Sequence, residues 1–363
     1  MPLQIIRQDI TRLKVDAIVN AANPDLRQGG GVCGAIFAAA GAQELQQACD
    51  RIGHCDTGKA VITPGFRLPA KYVIHTLGPV WQGGKCNERA LLASCYRSAL
   101  NLAKDRGLRS VAFPLISSGI YGYPKEEALA VATDTIGAFL LEEEMEVILA
   151  VFDRSAYQLS AERYEAVRSF IDQPYVLRQQ QRFGRRGMEN GPLQQTIAPS
   201  SCPESQPQTF AVPAPVKQNS YRPSLSEELS EREKKAVIGS DLFAFLSRKR
   251  KAESFSSKVM NYIDQKGLKD STVYKRANLD RKHFSKIRSN HDYKPTKRTA
   301  LALAIALELN MDQTVDLLAL AGYALSPRDK VDLIVEYFIL QQDYNIFRIN
   351  EALFAFGQHQ LGA

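Results

Sequence analysis

Between residues 3 and 172, short apolar runs of strand length alternate with stretches of helix length, and this alternation constrains the fold more than any other feature. LQIIRQDIT and DAIVNAAN read as strands, GVCGAIFAAAGAQELQQACDR as one helix, and AVITPG and YVIHTLGP as strands again. ERALLASCYRSALNLAKDRG carries apolar residues at helical spacing, and SVAFPLIS is an apolar strand. PKEEALAVATDTIGAFLLEEE is a helix with Pro124 at its start and acids in its first turn, and EVILAVFD is a buried strand before a closing helix, SAERYEAVRSFID. Strands joined by helices of this length predict a three-layer α/β/α sandwich with ligands at the carboxyl ends of its strands.

Two strand-to-helix joints are unusual. LRQGGGV follows DAIVNAAN, and SGIYGYP follows SVAFPLIS; each bears glycine and each precedes a helix. Glycine allows positive φ and a close backbone approach, and a helix amino terminus offers unpaired N–H groups that suit phosphate oxygens. A single GGG would be as consistent with a tight turn. Two such loops in one α/β domain predict a diphosphate.

Four stretches, RQDITRLKVDAIVNAAN, GGGVCGAIFAAAG, TGKAVITPGFRLPAKYVIHTLGPVW and FPLISSGIYGYP, resemble in order and spacing the macrodomain family, nearest its MacroD-type branch. The resemblance covers about residues 3 to 172 and implies ADP-ribose as ligand or product, with no separate cofactor. It implies that Asp9 accepts a hydrogen bond from the adenine amino group, that Ile10 packs beside the base and that Phe152 stacks on it. Gly30, Gly31, Val32 and Cys33, with the loop of Ser117, Ser118, Gly119, Ile120, Tyr121 and Gly122, would surround the diphosphate and offer backbone N–H groups to it. Tyr121 would cover the distal ribose and Asn23 would hold its hydroxyls, so that Asn23, Gly31 and Tyr121 are the expected catalytic positions. Each also has a plainer reading: Phe152 as core, Asp9 as a cap acid, Asn23 before Pro24 as a turn former. His75, inside YVIHTLGP, reads as a satisfied core histidine.

Cys33 departs from the resemblance. Hydrolytic members carry aspartate there, where it positions or activates water, and usually histidine where Phe37 stands. Family members with a small residue at that place still remove ADP-ribose from proteins, which implies water held by the ligand's own phosphate, and slow turnover. Cys33 as nucleophile would need a base, and no histidine neighbours it in sequence.

The remaining chain differs in composition. With 363 residues and 45% hydrophobic character there is material for two domains. Residues 1–172 carry 18 Lys/Arg against 19 Asp/Glu, whereas 248–298 carry 16 against 5, a basic block suited to a polyanion. Residues 177–232 are rich in Gln, Pro and Ser without an apolar period, as in a linker. The expected organisation is a macrodomain at 1–173, a linker at 174–237 and an all-α domain at 238–363.

SFSSKVMNYIDQKGL, STVYKRANL, RKHFSKIRS, PTKRTALALAIALELN and MDQTVDLLALAGYAL read as successive helices, and over residues 255–325 they resemble the Cro and lambda-repressor type of helix-turn-helix domain. The resemblance implies double-stranded DNA bound through residues 255–298, with Arg281, Lys282 and His283 toward bases and Lys286, Arg288, Lys294 and Lys297 at phosphates. The same fold also serves as a protein-interaction module. Apolar, aromatic helices at 328–357 are expected to dimerise or to dock a partner. Six cysteines without CxxC spacing predict reduced thiols and no metal site, and the lack of a signal-like amino terminus or an 18-residue apolar run predicts a cytoplasmic protein, bacterial in architecture, with no membrane partner. Three functions fit: an enzyme that removes mono-ADP-ribose from proteins or deacetylates an ADP-ribose ester; a non-catalytic ADP-ribose reader controlling the helical domain; or a macrodomain accessory to a transcription regulator. Asn23 and the glycine loops favour the first, Cys33 the second.

Overall fold

The computed structural model describes residues 2–151, 164–171 and 253–362. Six strands, β1 (Leu3–Ile6), β2 (Ala17–Ala21), β3 (Ala60–Pro64), β4 (Tyr72–Thr76), β5 (Ser110–Pro114) and β6 (Glu146–Ala150), form one sheet in the order β1-β6-β5-β2-β4-β3. All neighbours are parallel except β3, which runs antiparallel to β4. Apolar cores lie on both faces of this sheet, one containing Val19, Ile74 and Phe113, the other Ile18, Val73 and Ala112. Consecutive strand residues therefore bury on opposite sides, which is why these strands read as continuous apolar runs.

The helices of this layer are α1 (Gly31–Ala40), α2 (Ala42–Ile52), α3 (Glu88–Asp105) and α4 (Lys125–Glu142). The stretch expected to be one helix is two, broken at Gly41, whose φ of 95° and ψ of 97° lie outside the helical region. The Ala40 carbonyl there accepts from Arg67 N at 3.2 Å, and a Cβ at Gly41 would come within 2.7 Å of the Glu44 carboxylate. A tertiary contact thus ends a run that local propensity would have continued.

The carboxyl-terminal region is helical: α5 (Phe255–Gln265), α6 (Asp270–Arg276), α7 (Arg281–Ser289), α8 (Lys297–Ala306), α9 (Met311–Leu320), α10 (Lys330–Leu340) and α11 (Ile346–Ala355). Side-chain oxygens of Ser254, Asp280, Thr296, Asn310, Asp329 and Asn345 cap the starts of α5, α7, α8, α9, α10 and α11. No helix among the described residues is long and apolar enough to cross a membrane.

Residues 1–177 and 253–363 form one compact unit, so the helical region does not stand apart from the sheet as composition suggested. The expected boundaries at 173 and 238 lie outside the described residues. One hydrophobic core runs from Leu3, Leu129 and Ile136 into Phe338, Phe347 and Leu353. Helix α4 is buried on nearly every face, because α3 and the sheet cover one side while α6 and α11 cover another. Its carboxyl end is tied down by Lys275 Nζ, which donates to the Glu142 carbonyl at 2.6 Å, and by Tyr274 OH, which donates to Glu144 at 2.5 Å. The apolar helices at 328–357 pack within the chain: α11 packs on α4 and β1, and Tyr337 of α10 meets Phe170 edge-on at 5.5 Å.

The outer edge of β1 is closed by two side-chain amides. Asn278 accepts from Leu3 N at 2.8 Å and donates to Leu3 O at 3.1 Å, and Gln360 accepts from Ile5 N at 3.0 Å and donates to Ile5 O at 2.6 Å. Residues i and i+2 of an edge strand point the same N–H and C=O pair outward, so each carboxamide satisfies what a neighbouring strand would.

Candidate functional site

Strands β2 and β5 pair only at Ala17 with Val111 and Ile18 with Ala112, although β2 pairs with β4, and β5 with β6, along their full lengths. The sheet therefore opens between the carboxyl ends of β2 and β5. A cleft of about 510 Å³ occupies this opening, floored by Ala21, Ala22, Pro114, Ala150 and Val151. This is where an open α/β sheet exposes strand ends and helix amino termini together.

One wall is Gly29, Gly30, Gly31, Val32 and Cys33. Gly31 starts α1 with φ of 59°, a conformation that favours glycine, and the first helical bond is Gly34 N to Gly30 O at 3.4 Å. The amides of Gly31, Val32 and Cys33 precede that bond and have no carbonyl within the helix. The opposite wall is Ser117, Ser118, Gly119, Ile120 and Tyr121. Gly122 N closes this loop on Gly119 O at 3.0 Å and Tyr123 N on Ser117 O at 3.0 Å. Among the described residues, the amides of Ser118, Gly119, Ile120 and Tyr121 donate to no backbone carbonyl, so two rows of N–H groups border one cleft. Ile120, 85% exposed, reaches across so that a Cβ on Gly30 would touch its Cδ1 at 3.7 Å.

Asn23 lines the cleft and also clasps its own turn: Oδ1 accepts from Arg27 N at 2.9 Å and Nδ2 donates to Arg27 O at 2.8 Å. The turn-former reading of this residue holds, and the same side chain lies at the cleft. Cys33 is buried at the cleft wall, where Sγ donates to Arg27 O at 3.8 Å and accepts from Asn20 Nδ2 at 3.7 Å. Asn20 Nδ2 also donates to His75 Nδ1 at 3.1 Å, which makes Nε2 the protonated nitrogen, donating to Thr63 Oγ1 at 2.9 Å. Burial lowers the His75 pKa to about 4, so the ring is neutral and satisfied, and Asn20 separates it from Cys33. Burial, and then the nearby Cys33, raise the pKa of the Tyr121 phenol.

Other expected residues lie elsewhere. The Asp9 carboxylate caps the 3-10 turn Ile10–Arg12, accepting from Thr11 N at 3.0 Å and Thr11 Oγ1 at 2.7 Å. Ile10 is buried in the core beneath α1, and neither residue lines the cleft. Gly122 shapes the loop without lining the cleft, and Phe152 lies outside the described residues. Lys125, at the start of α4, lines the cleft and is the cation that motif reading passed over. A lysine one residue after the loop's closing proline carries no motif of its own. Among the described residues, the cleft lining contains no carboxylate.

On the helical region, Arg281, Lys282, Lys286 and Lys294 are exposed. Three other expected contacts are engaged within the protein: His283 Nε2 with Tyr293 OH at 2.7 Å, Arg288 with Asp270, and Lys297 with Asp332 at 2.5 Å.

Comparison with known proteins agrees with this architecture. The family model of the macro domain matches residues 19–132, which hold the end of β2, both glycine loops, strands β3 to β5 and the start of α4. A macro domain-containing protein of Chlorobaculum tepidum is 57% identical over 141 residues, 39% of this chain and 81% of that protein. The chain belongs to the macro domain family. An O-acetyl-ADP-ribose deacetylase of Salmonella gallinarum is 50% identical to this macro domain protein over 165 residues, 44% of this chain and 92% of the relative. Among solved structures, the Oceanobacillus iheyensis macrodomain with ADP is 42% identical, covering 46% of this chain and 92% of that one with a TM-score of 0.43.

Proposed function

We propose that the macro domain binds ADP-ribose and slowly hydrolyses an ester on its distal ribose, either the acetyl ester of O-acetyl-ADP-ribose or the acyl link to a mono-ADP-ribosylated carboxylate of a protein. The observation that carries this reading is the facing of two rows of backbone amides that, among the described residues, have no carbonyl partner, across a cleft whose described lining includes Lys125 and no carboxylate. Such a site favours a dianion at its centre and disfavours acids. The relative named O-acetyl-ADP-ribose deacetylase supports the same substrate class.

In either ester, water attacks the acyl carbon, the bond from that carbon to the ribose oxygen breaks, and the products are a ribose hydroxyl and a carboxylate. With a thiol rather than a carboxylate at position 33, the ligand's own phosphate orients the water, and the site contributes by holding the ribose and diphosphate still. The MacroD-type hydrolases, which Cys33 sets this protein apart from, use an acid there. Incubation of the full chain with O-acetyl-ADP-ribose and with a protein ADP-ribosylated on an acidic residue, following acetate and free ADP-ribose, tests the reading. Product at a rate above the protein-free control supports it; tight binding without product leaves a non-catalytic reader.

A second reading attaches to the helical region. Helix α7 presents Arg281, Lys282 and Lys286 to solvent, after a turn in which Asn278 adopts φ of 54°. We infer a helix-turn-helix contact with double-stranded DNA through these residues, with Lys294 beside them. Gel shifts of the full chain on random-sequence DNA between 50 and 200 mM salt check it, since each phosphate contact adds about −0.9 to the log–log salt slope. Lys286→Ala should remove about one such contact. Absence of any shift at the lowest salt refutes it and leaves the basic helix as a protein-docking or solvated face.

A further inference from the structure

Glu88, the first residue of α3, is 1% exposed in a stretch whose preceding six residues are all exposed. Its carboxylate accepts three backbone N–H groups: Gln82 N at 3.0 Å and Gly84 N at 3.1 Å on Oε1, and Cys86 N at 2.6 Å on Oε2. The strap from residue 82 to 86 can wrap so tightly because Gly83 and Gly84 adopt φ of 89° and 81°. Among the described residues, no other side chain accepts from the strap's backbone. Burial alone would raise the carboxyl pKa, but the backbone amides outweigh it and the net shift is downward, so Glu88 is ionised and accepts at both oxygens.

The strap leads straight to the cleft. Trp81, the residue before it, donates its backbone N–H to the Tyr121 carbonyl at 2.9 Å. Its ring stands 4.6 Å from that of Tyr123, tilted by 56°, and a Cβ on Gly84 would meet the same indole at 3.1 Å. Three residues earlier, Gly78 lies so close under the loop that a Cβ there would sit 2.1 Å from Ser117 Oγ. Segment 78–88 therefore underlies the wall of the cleft at two points, and its far end is anchored by one buried carboxylate.

Resting on the proposed ADP-ribose reading, we propose that Glu88 is a positioning residue: by gripping the strap it fixes Trp81, and through Trp81 it fixes Tyr121 over the distal ribose. Glu88 never touches the ligand. It governs how well the protein distinguishes ADP-ribose from ADP, which lacks that sugar.

The test uses the full chain, whose only tryptophan is Trp81. Glu88→Gln keeps the shape but presents an amide N–H to one of the strap's donors. The expected result is a folded protein whose Trp81 emission shifts to the red and becomes more accessible to acrylamide. Its affinity for ADP-ribose should fall roughly tenfold, the size of one lost charge-assisted hydrogen bond, while its affinity for ADP stays within about twofold. Glu88→Asp, which keeps the charge, should recover part of the difference. Equal loss of both ligands, or unchanged Trp81 emission with unchanged selectivity, overturns the proposal. If the unaltered chain bound no ADP-ribose, the functional reading would fall, and Trp81 emission in Glu88→Gln would still decide whether the acid holds the strap.

Discussion

The thiol of Cys33 stands at the cleft wall with the Asn20 amide 3.7 Å away; His75, whose lowered pKa of about 4 makes it a weak base, has its Nδ1 engaged by Asn20 and lies behind that side chain. A carboxylate at that position would accept from the same amide and face the ligand. Cys33→Asp should therefore raise ester hydrolysis by about tenfold or more, toward the 10²- to 10⁴-fold typical of a general base, whereas Cys33→Ala should leave it within about twofold. Initial rates of acetate release distinguish these outcomes, and an inactive Cys33→Ala enzyme would instead require a thiolate mechanism. His75 makes a separate prediction about acid. Burial holds its folded pKa at about 4, below the unfolded value near 6.5. The unfolded chain binds the proton first, so this contribution is complete above pH 6.5 and is lost as the pH falls from there toward 4, amounting to on the order of 3 kcal/mol. Imidazole carbon shifts in NMR spectra should remain those of the neutral Nε2–H tautomer at pH 5, and urea midpoints should fall between pH 6.5 and 4.5. The core role of His75 was legible from its place in an apolar strand. Its partners were not, because Asn20, Thr63 and Cys49 come from three other elements.

The strands and most helices could be read from periodicity because each is apolar on the faces it buries. Gly41 was invisible to that reading, since the residues on both sides favour helix and the break is met by Arg67, which is distant in sequence and donates its backbone N–H to the Ala40 carbonyl. Glycine loops announced the cleft because Gly31 and Gly122 adopt φ of 59° and 66°, a region that favours glycine. Gly34, within α1, is constrained by contact instead, because a Cβ there would lie 2.6 Å from the Gly29 carbonyl oxygen. Gly34→Ala must displace backbone, pulling the glycine wall away from the first turn of α1. ADP-ribose affinity should drop by about tenfold or more, following the 1–3 kcal/mol typical of overpacking, and calorimetric titration of the variant against the unaltered chain measures it. A variant that binds normally would show that the wall adapts.

For the molecule as a whole, composition suggested two domains on a linker, yet the helical region completes the sheet. Asn278 and Gln360, 275 and 355 residues from the backbone groups they serve, close the β1 edge, and no local pattern could have revealed them. Asn278, at first sight only the left-handed turn residue of a helix pair, is buried for this second reason. Gln360→Ala should lower stability by about 1–3 kcal/mol through the unpaired Ile5 amide and carbonyl, and thermal melts should still show a single transition. At the other contact, a Cβ on Gly137 would lie 2.6 Å from the Phe347 ring, so Gly137→Ala should cost about 1–3 kcal/mol by wedging α11 off α4. The sheet layer expressed alone would bare the β1 edge and one side of α4, so ligand binding is best measured on the full chain. Calorimetric titration of that chain with ADP-ribose is the most direct measurement. The facing amide rows predict saturable binding at one molecule per chain that Gly34→Ala weakens; a folded chain that gives no binding heat and protects no site would contradict the reading of the cleft.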